Sequence, residues 1–162
     1  MDDQPRLPSR SRDIQQRLIE AGLTVAVREL PASTHTAAQA AAALGCEIGA
    51  IASSLLFCAD DEALLVMTSG RHRVDTDILA QAIGARQIEM ATAKDVRTIT
   101  GQPIGGVAPI GHPQPLRTII DQALGDYQTI WAAAGTPRTV MPLTFDELRA
   151  LTGGAVMRVA AD

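Results

Sequence analysis

Lysine is almost absent. Of the 14 Lys and Arg residues in the 162-residue chain, Lys94 is the only lysine. Any mechanism that needs a lysine must use that position or do without. Aromatics are scarce too, limited to Phe57, Tyr127, Trp131 and Phe145. So few rings exclude a base-stacking platform of the kind that reads single-stranded nucleic acid. The two cysteines, Cys46 and Cys58, form no CxxC pair and no disulfide framework, as expected for a reduced, cytoplasmic protein. No apolar run approaches the roughly 20 residues of a membrane span, and no apolar stretch follows the basic N-terminus as in a secretory signal. With 18 Asp and Glu the formal net charge is -4, which argues against a DNA-coating surface.

Apolar residues make up 46 % of the chain, enough for the core of one ordinary domain. The expected organisation is a loose N-terminal arm over 1–12, carrying Arg6, Arg10 and Arg12, followed by one domain over 13–162. Ile14, Leu18 and Ile19 recur at helical spacing, with Ser11 as a possible cap and Gly22 as a stop. Thr24–Leu30 alternates like a half-buried strand. The alanine run 37–44, closed by Gly45, is a helix that packs closely against a sheet. Ile51–Cys58 and Ala63–Thr68, joined by Ala-Asp-Asp-Glu, read as a hairpin. Further helices are expected at 75–83, after Thr92, and after Thr144, whose spacing to Glu147 is that of a capping box. Short strands are expected at 86–90, 116–120, 128–133, 139–143 and 155–160. About seven strands and five helices in mixed order make an α/β domain with a mixed, barrel-like sheet.

The most informative stretch is Gly105-Gly106-Val107-Ala108-Pro109-Ile110-Gly111. Glycines beside a rigid proline can turn backbone N–H groups toward a carbonyl or phosphate, although such a segment can also be a plain connector. His35, His72 and His112 have no metal-ligand spacing, so no metal is expected. His112, at the edge of the loop, can donate to a substrate oxygen. Ser53-Ser54 lies in a strand without a G-x-S-x-G elbow, and P-loop and dinucleotide fingerprints are absent, so no nucleotide cofactor is expected. Arg71 and Arg73, flanking His72, are the best candidates for touching phosphate outside the N-terminal arginines.

Taken in order, HTAAQAAAALG, IASSLLF, CADDEALLVMTSGRHRVD, LAQAIGARQIEMATAKDV, TITGQPIGGVAPIGHP and IWAAAGTPRTVMPLTFDELRALTGG resemble the YbaK/EbsC-like family. This family is also found as the editing insertion of bacterial prolyl-tRNA synthetases, and the resemblance covers nearly the whole chain after the first dozen residues. It implies a free-standing deacylase that hydrolyses the ester joining a small mischarged amino acid to tRNA. Its partners would be aminoacyl-tRNA and an aminoacyl-tRNA synthetase. The family's G-x-x-x-P loop maps onto Gly105, Gly106, Val107, Ala108 and Pro109, which would line the aminoacyl pocket and polarise the carbonyl while water attacks. Ser53, Ser54, His35, Thr36, Gly111, His112, Arg71 and Arg73 are the expected substrate-binding residues. One departure stands out. Where the family carries a lysine before a Ser/Thr-Leu pair, this chain has Ser53. Two alternatives follow from that change: a silent module that binds aminoacyl-tRNA or a synthetase, and a protein that binds a free amino acid or nucleotide.

Overall fold

The computed structural model describes residues 7–161. Helices α1 (Ser9–Glu20), α2 (Ala37–Leu44), α3 (Thr76–Ile83), α4 (Ala93–Thr100) and α5 (Phe145–Thr152) surround one mixed sheet. Its strands are β1 (Arg28–Glu29), β2 (Ile51–Ala59), β3 (Glu62–Ser69), β4 (Ile88–Met90), β5 (Arg117–Asp121), β6 (Ile130–Ala133), β7 (Thr139–Leu143) and β8 (Ala155–Met157). The strand order is β1-β7-β6-β2-β3-β5-β8, with β4 added to β2 off this path.

The long hairpin β2–β3 is the spine. Asp60 and Asp61 form its turn with φ of 47° and 71°, the left-handed pair that a two-residue hairpin turn requires. The Asp60 carboxylate also accepts the backbone N–H groups of Arg86 and Gln87 at 2.8 and 2.9 Å, which anchors the start of β4. Those two bonds hold its pKa below the ordinary carboxylate value.

Helix starts and stops follow local chemistry. Thr36, Thr92 and Thr144 each accept the backbone N–H three residues on, and Gly45, Gly84, Gly101 and Gly153 close α2 to α5 in the left-handed conformation. Leu65, Met67, Ile120, Leu124, Ile130, Met141 and Leu143 centre the main core, on which Ile14 and Leu18 of α1 pack.

Three boundaries differ from the sequence pattern. Helix α1 begins at Ser9, so Ser9–Arg12 are helical, and Ser11 is buried inside the helix rather than capping it. The rest of the expected arm, residues 1–6, lies outside the described residues. The alternating segment 24–30 pairs as a strand only at Arg28–Glu29. Its earlier part is tied to α1 instead, where the Gln15 side chain donates to the Val25 carbonyl and accepts from the Val27 N–H. The last strand ends at Met157, after which Val159 accepts the Asp75 N–H at the start of α3.

Candidate functional site

The sheet forks at β2. Strand β6 pairs with β2 in parallel only at Ile51 and Ala52, and β4 pairs with it antiparallel only at Phe57–Ala59. Between them no strand among the described residues covers that edge of β2. Gly70 N–H donates to the Ile51 carbonyl on the β3 side, and Ala91 N–H donates to the Leu56 carbonyl on the other. Backbone groups alternate sides along a strand, so the N–H and C=O of Ser54 face the open fork.

A pocket of about 310 Å³ fills this fork. Its walls come from β2 (Ile51–Leu56), the start of α2 with Thr34, His35 and Thr36 before it, Met90 and Ala91, Val96 of α4, and Ile104, Gly105 and Val107. Ala133, Pro137, Thr139 and Val140 complete it. None of the lining residues is Lys, Arg, Asp or Glu, and the one histidine among them, His35, is exposed at the mouth. The volume lies at the small end of the about 300–1,000 Å³ typical of ligand pockets.

The Gly/Pro loop is built with unequal parts. Gly105 (φ +84°) is exposed at the pocket, and nothing lies within 4 Å of where a Cβ would stand. Gly106 is the reverse: a Cβ there would lie 2.4 Å from the Thr136 carbonyl carbon and 2.7 Å from Pro137 N, so only glycine fits against that turn. Gly106 N–H is used by the Pro103 carbonyl and Ala108 N–H by Gln102 Oε1 at 2.7 Å. Gln102 Nε2 also donates to the Ile110 carbonyl at 3.1 Å, so one buried glutamine braces the loop's interior. Gly105 and Val107, both at the pocket, are left with amide N–H groups that no carbonyl or side chain among the described residues accepts. Such groups are what a developing oxyanion requires.

The expected site residues are therefore distributed over several places. His35, Thr36, Ser53, Ser54, Gly105 and Val107 line one pocket. Gly106, Ala108 and Pro109 are buried behind it as its support. Gly111 and His112 open instead onto a separate cleft beside Arg10, Asp13 and Arg17 of α1. There the half-buried His112 ring donates from Nε2 to the Ala108 carbonyl at 2.8 Å, and burial holds its pKa below the ordinary value near 6.5. Arg71 is occupied elsewhere, bound to Tyr127 Oη at 3.0 Å and Asp126 at 3.1 Å. Arg73 lies on a neighbouring depression, which shares Ser53, Leu55 and Met90 with the pocket. Thr36 spends its hydroxyl on the Gln39 N–H, so its role is to start α2 at the pocket wall.

Sequence reasoning missed Thr139, Ile104, Ala133 and Gln102, which lie within the family-like stretches but reach the site only through the fold. It also passed over the pair between His72 Nδ1 and Asp121 Oδ2, 2.7 Å apart with side chains 4 % and 1 % exposed. Asp121 further accepts from Ser69 N–H at 3.0 Å and Ala123 N–H at 2.9 Å, and it locks β3 to β5. Among the described residues no group of His, Cys, Asp and Glu is arranged to hold a metal ion, and no helix is long and apolar enough to cross a membrane.

Residues 31–151 match the aminoacyl-tRNA editing domain. The chain is 40 % identical to a solved structure described as a candidate trans-editing enzyme for prolyl tRNA synthetase, with a TM-score of 0.92 over 97 % of this chain and 100 % of that one. The candidate Cys-tRNA(Pro)/Cys-tRNA(Cys) deacylase EbsC of Enterococcus faecalis is 30 % identical over 122 residues, 74 % of each chain. The proline--tRNA ligase of Levilactobacillus brevis is 28 % identical over 100 residues, which are 62 % of this chain and only 18 % of the ligase. The chain belongs to the aminoacyl-tRNA editing domain family.

Proposed function

We propose that this protein is an aminoacyl-tRNA deacylase acting in trans in the cytoplasm, clearing a small mischarged amino acid from tRNA in the pocket between the β2 edge and the Gly105–Val107 loop. The observation that carries this reading is the set of unclaimed backbone N–H groups at a small, uncharged pocket. Family membership supports the substrate class. The ester carbonyl accepts hydrogen bonds from the amides of Gly105 and Val107, and water attacks its carbon. Negative charge builds on the carbonyl oxygen, where those amides stabilise it. The bond to the ribose oxygen then breaks, that oxygen takes the proton given up by the attacking water and becomes a hydroxyl, and the amino acid leaves as its carboxylate. No side-chain nucleophile is involved. His35 at the mouth and Ser53 on the wall are placed to hold the water or the ribose hydroxyls.

The absence of charge from the pocket walls also bears on affinity. The substrate's ammonium finds no carboxylate there, and Ser53 offers no cation where the family resemblance expects lysine. Recognition of the amino acid then rests on size, through Ile51, Ala133 and Val140. The test is incubation with a panel of tRNAs carrying alanine, serine, cysteine or proline. Turnover of one or more of the small mischarged esters is expected. Binding of aminoacyl-tRNA without turnover on any of them would replace this reading with a silent binding module, which the missing cation at Ser53 favours as the second reading.

A further inference from the structure

We infer that the N-terminal helix α1 belongs to the working pocket, with Ser11 and Ile14 as positioning residues that hold the Gly105–Gly111 loop and the Thr139 wall. This rests on the reading of that pocket as the hydrolytic site. The family match begins at residue 31, so α1 lies outside it. Nevertheless α1 reaches the loop at two places.

The first link is a run of hydroxyls. Ser11 is fully buried, and its Oγ donates to the Ala134 carbonyl at 2.8 Å while lying 2.8 Å from Thr139 Oγ1. Thr139 Oγ1 lies 2.8 Å from Thr136 Oγ1 in turn. Thr139 is a wall of the pocket, and the peptide joining Thr136 to Pro137 is the surface against which Gly106 is pressed. The second link is steric. Ile14 Cδ1, one turn along the same face of α1, would lie 2.7 Å from a Cβ on Gly111. Arg10 covers Gly135 in the same way, at 3.2 Å from its missing Cβ.

Gly105 and Gly111 both adopt left-handed backbone, at φ +84° and +86°, so the segment between them can pivot at either end unless it is held. Gln102 braces its middle, and α1 fixes both ends, directly at Gly111 and through the Thr136 turn at Gly106. The direction of the Gly105 and Val107 amides is thereby set by a helix almost a hundred residues away in sequence. Because misplacing a catalytic dipole by about 1 Å costs on the order of 100-fold in rate, loss of the brace registers in turnover before it registers in binding.

The experiment compares Ser11→Ala with Leu18→Ala, which removes buried surface from the same helix but no link to Thr139. Each is assayed well below its melting temperature, with amide hydrogen exchange followed peptide by peptide. Ser11→Ala is expected to lower kcat about 10- to 100-fold with KM within about twofold, and to speed exchange over 104–108 and 136–139. Leu18→Ala is expected to lower the melting temperature at least as far while leaving both readouts near wild type. Equal effects of the two variants in proportion to lost stability, or unchanged exchange at the loop in Ser11→Ala, would overturn the inference. If wild type hydrolyses no mischarged tRNA, the deacylase reading fails, and the exchange result alone still decides whether α1 holds the loop.

Discussion

Gly106 and Thr136 meet backbone to backbone. The space for a Cβ on Gly106 is already taken by the Thr136 carbonyl carbon, 2.4 Å away. That contact sets the distance between the loop and the turn that form two walls of the pocket. Since backbone cannot rotate out of the way, Gly106→Ala must push the loop off the turn. It is expected to cost about 1–3 kcal/mol of stability and to lower deacylation by about 100-fold. Gly105→Ala is the control for stability alone: its Cβ meets open space, so the expected loss of stability is only the left-handed strain of about 1–2 kcal/mol. Thermal melts and single-turnover hydrolysis of both variants check the contrast.

Ser53 stands on the wall of a pocket without a charged side chain. Ser53→Lys introduces a cation that can meet a phosphate or a carbonyl oxygen of the substrate. A charge-assisted contact contributes about 1.5–3 kcal/mol, so kcat/KM is expected to rise about 10- to 100-fold. Unchanged or reduced kcat/KM in a folded variant would show that this pocket works without a cation at that position.

His112 gives a pH signature. Burial holds its pKa below the ordinary value near 6.5, so the unfolded chain takes up a proton before the folded one does. Above about pH 6.5 the ring is neutral in both states and costs nothing. As pH falls below that value the unfolded state gains the proton first, and stability declines until the folded ring protonates as well. A steeper fall in melting temperature between about pH 6.5 and 5 is expected for wild type than for His112→Gln, whose amide can still donate to the Ala108 carbonyl. Parallel curves for the two proteins would remove His112 as the cause.

Asp121 is buried, and its carboxylate is shared by His72, Ser69 N–H and Ala123 N–H. Asp121→Ala removes the buried acceptor of Ser69 N–H and Ala123 N–H and breaks the close pair with His72. The expected cost is about 3–5 kcal/mol, a fall in melting temperature of roughly 10 °C or more for a chain of this size. Differential scanning calorimetry reads it directly. A change of only a degree or two would mean the strand seam is held by other contacts.

Periodicity and capping made most of the scaffold legible. Thr92 with Asp95 and Thr144 with Glu147 mark helix starts by local hydrogen bonding, which sequence spacing encodes directly. The hairpin 51–69 is equally local. Segment 24–30 misled in its first half, where Val25 and Val27 are tied to the Gln15 side chain, and only Arg28–Glu29 pair with a neighbouring strand. In the site, the loop at 105–107 and Ser53-Ser54 could be found from composition and resemblance. The open edge of β2 could not, because it depends on where β6 and β4 stop pairing. Arg71 illustrates the same limit: the fold brings Tyr127 and Asp126 to its guanidinium from 56 and 55 residues away, which its charge alone did not indicate.

The central claim is that the ester carbonyl is held by the amides of Gly105 and Val107 opposite the Ser54 edge. The most direct measurement is an amide chemical-shift titration with an aminoacyl-adenosine analogue in which the ester is replaced by a non-hydrolysable amide. Saturable shifts centred on Gly105, Val107 and Ser54 are predicted, lost in Gly106→Ala. Shifts confined to the Arg71–Asp126 cleft or to the His112 side of α1, with the β2 edge silent, would contradict it.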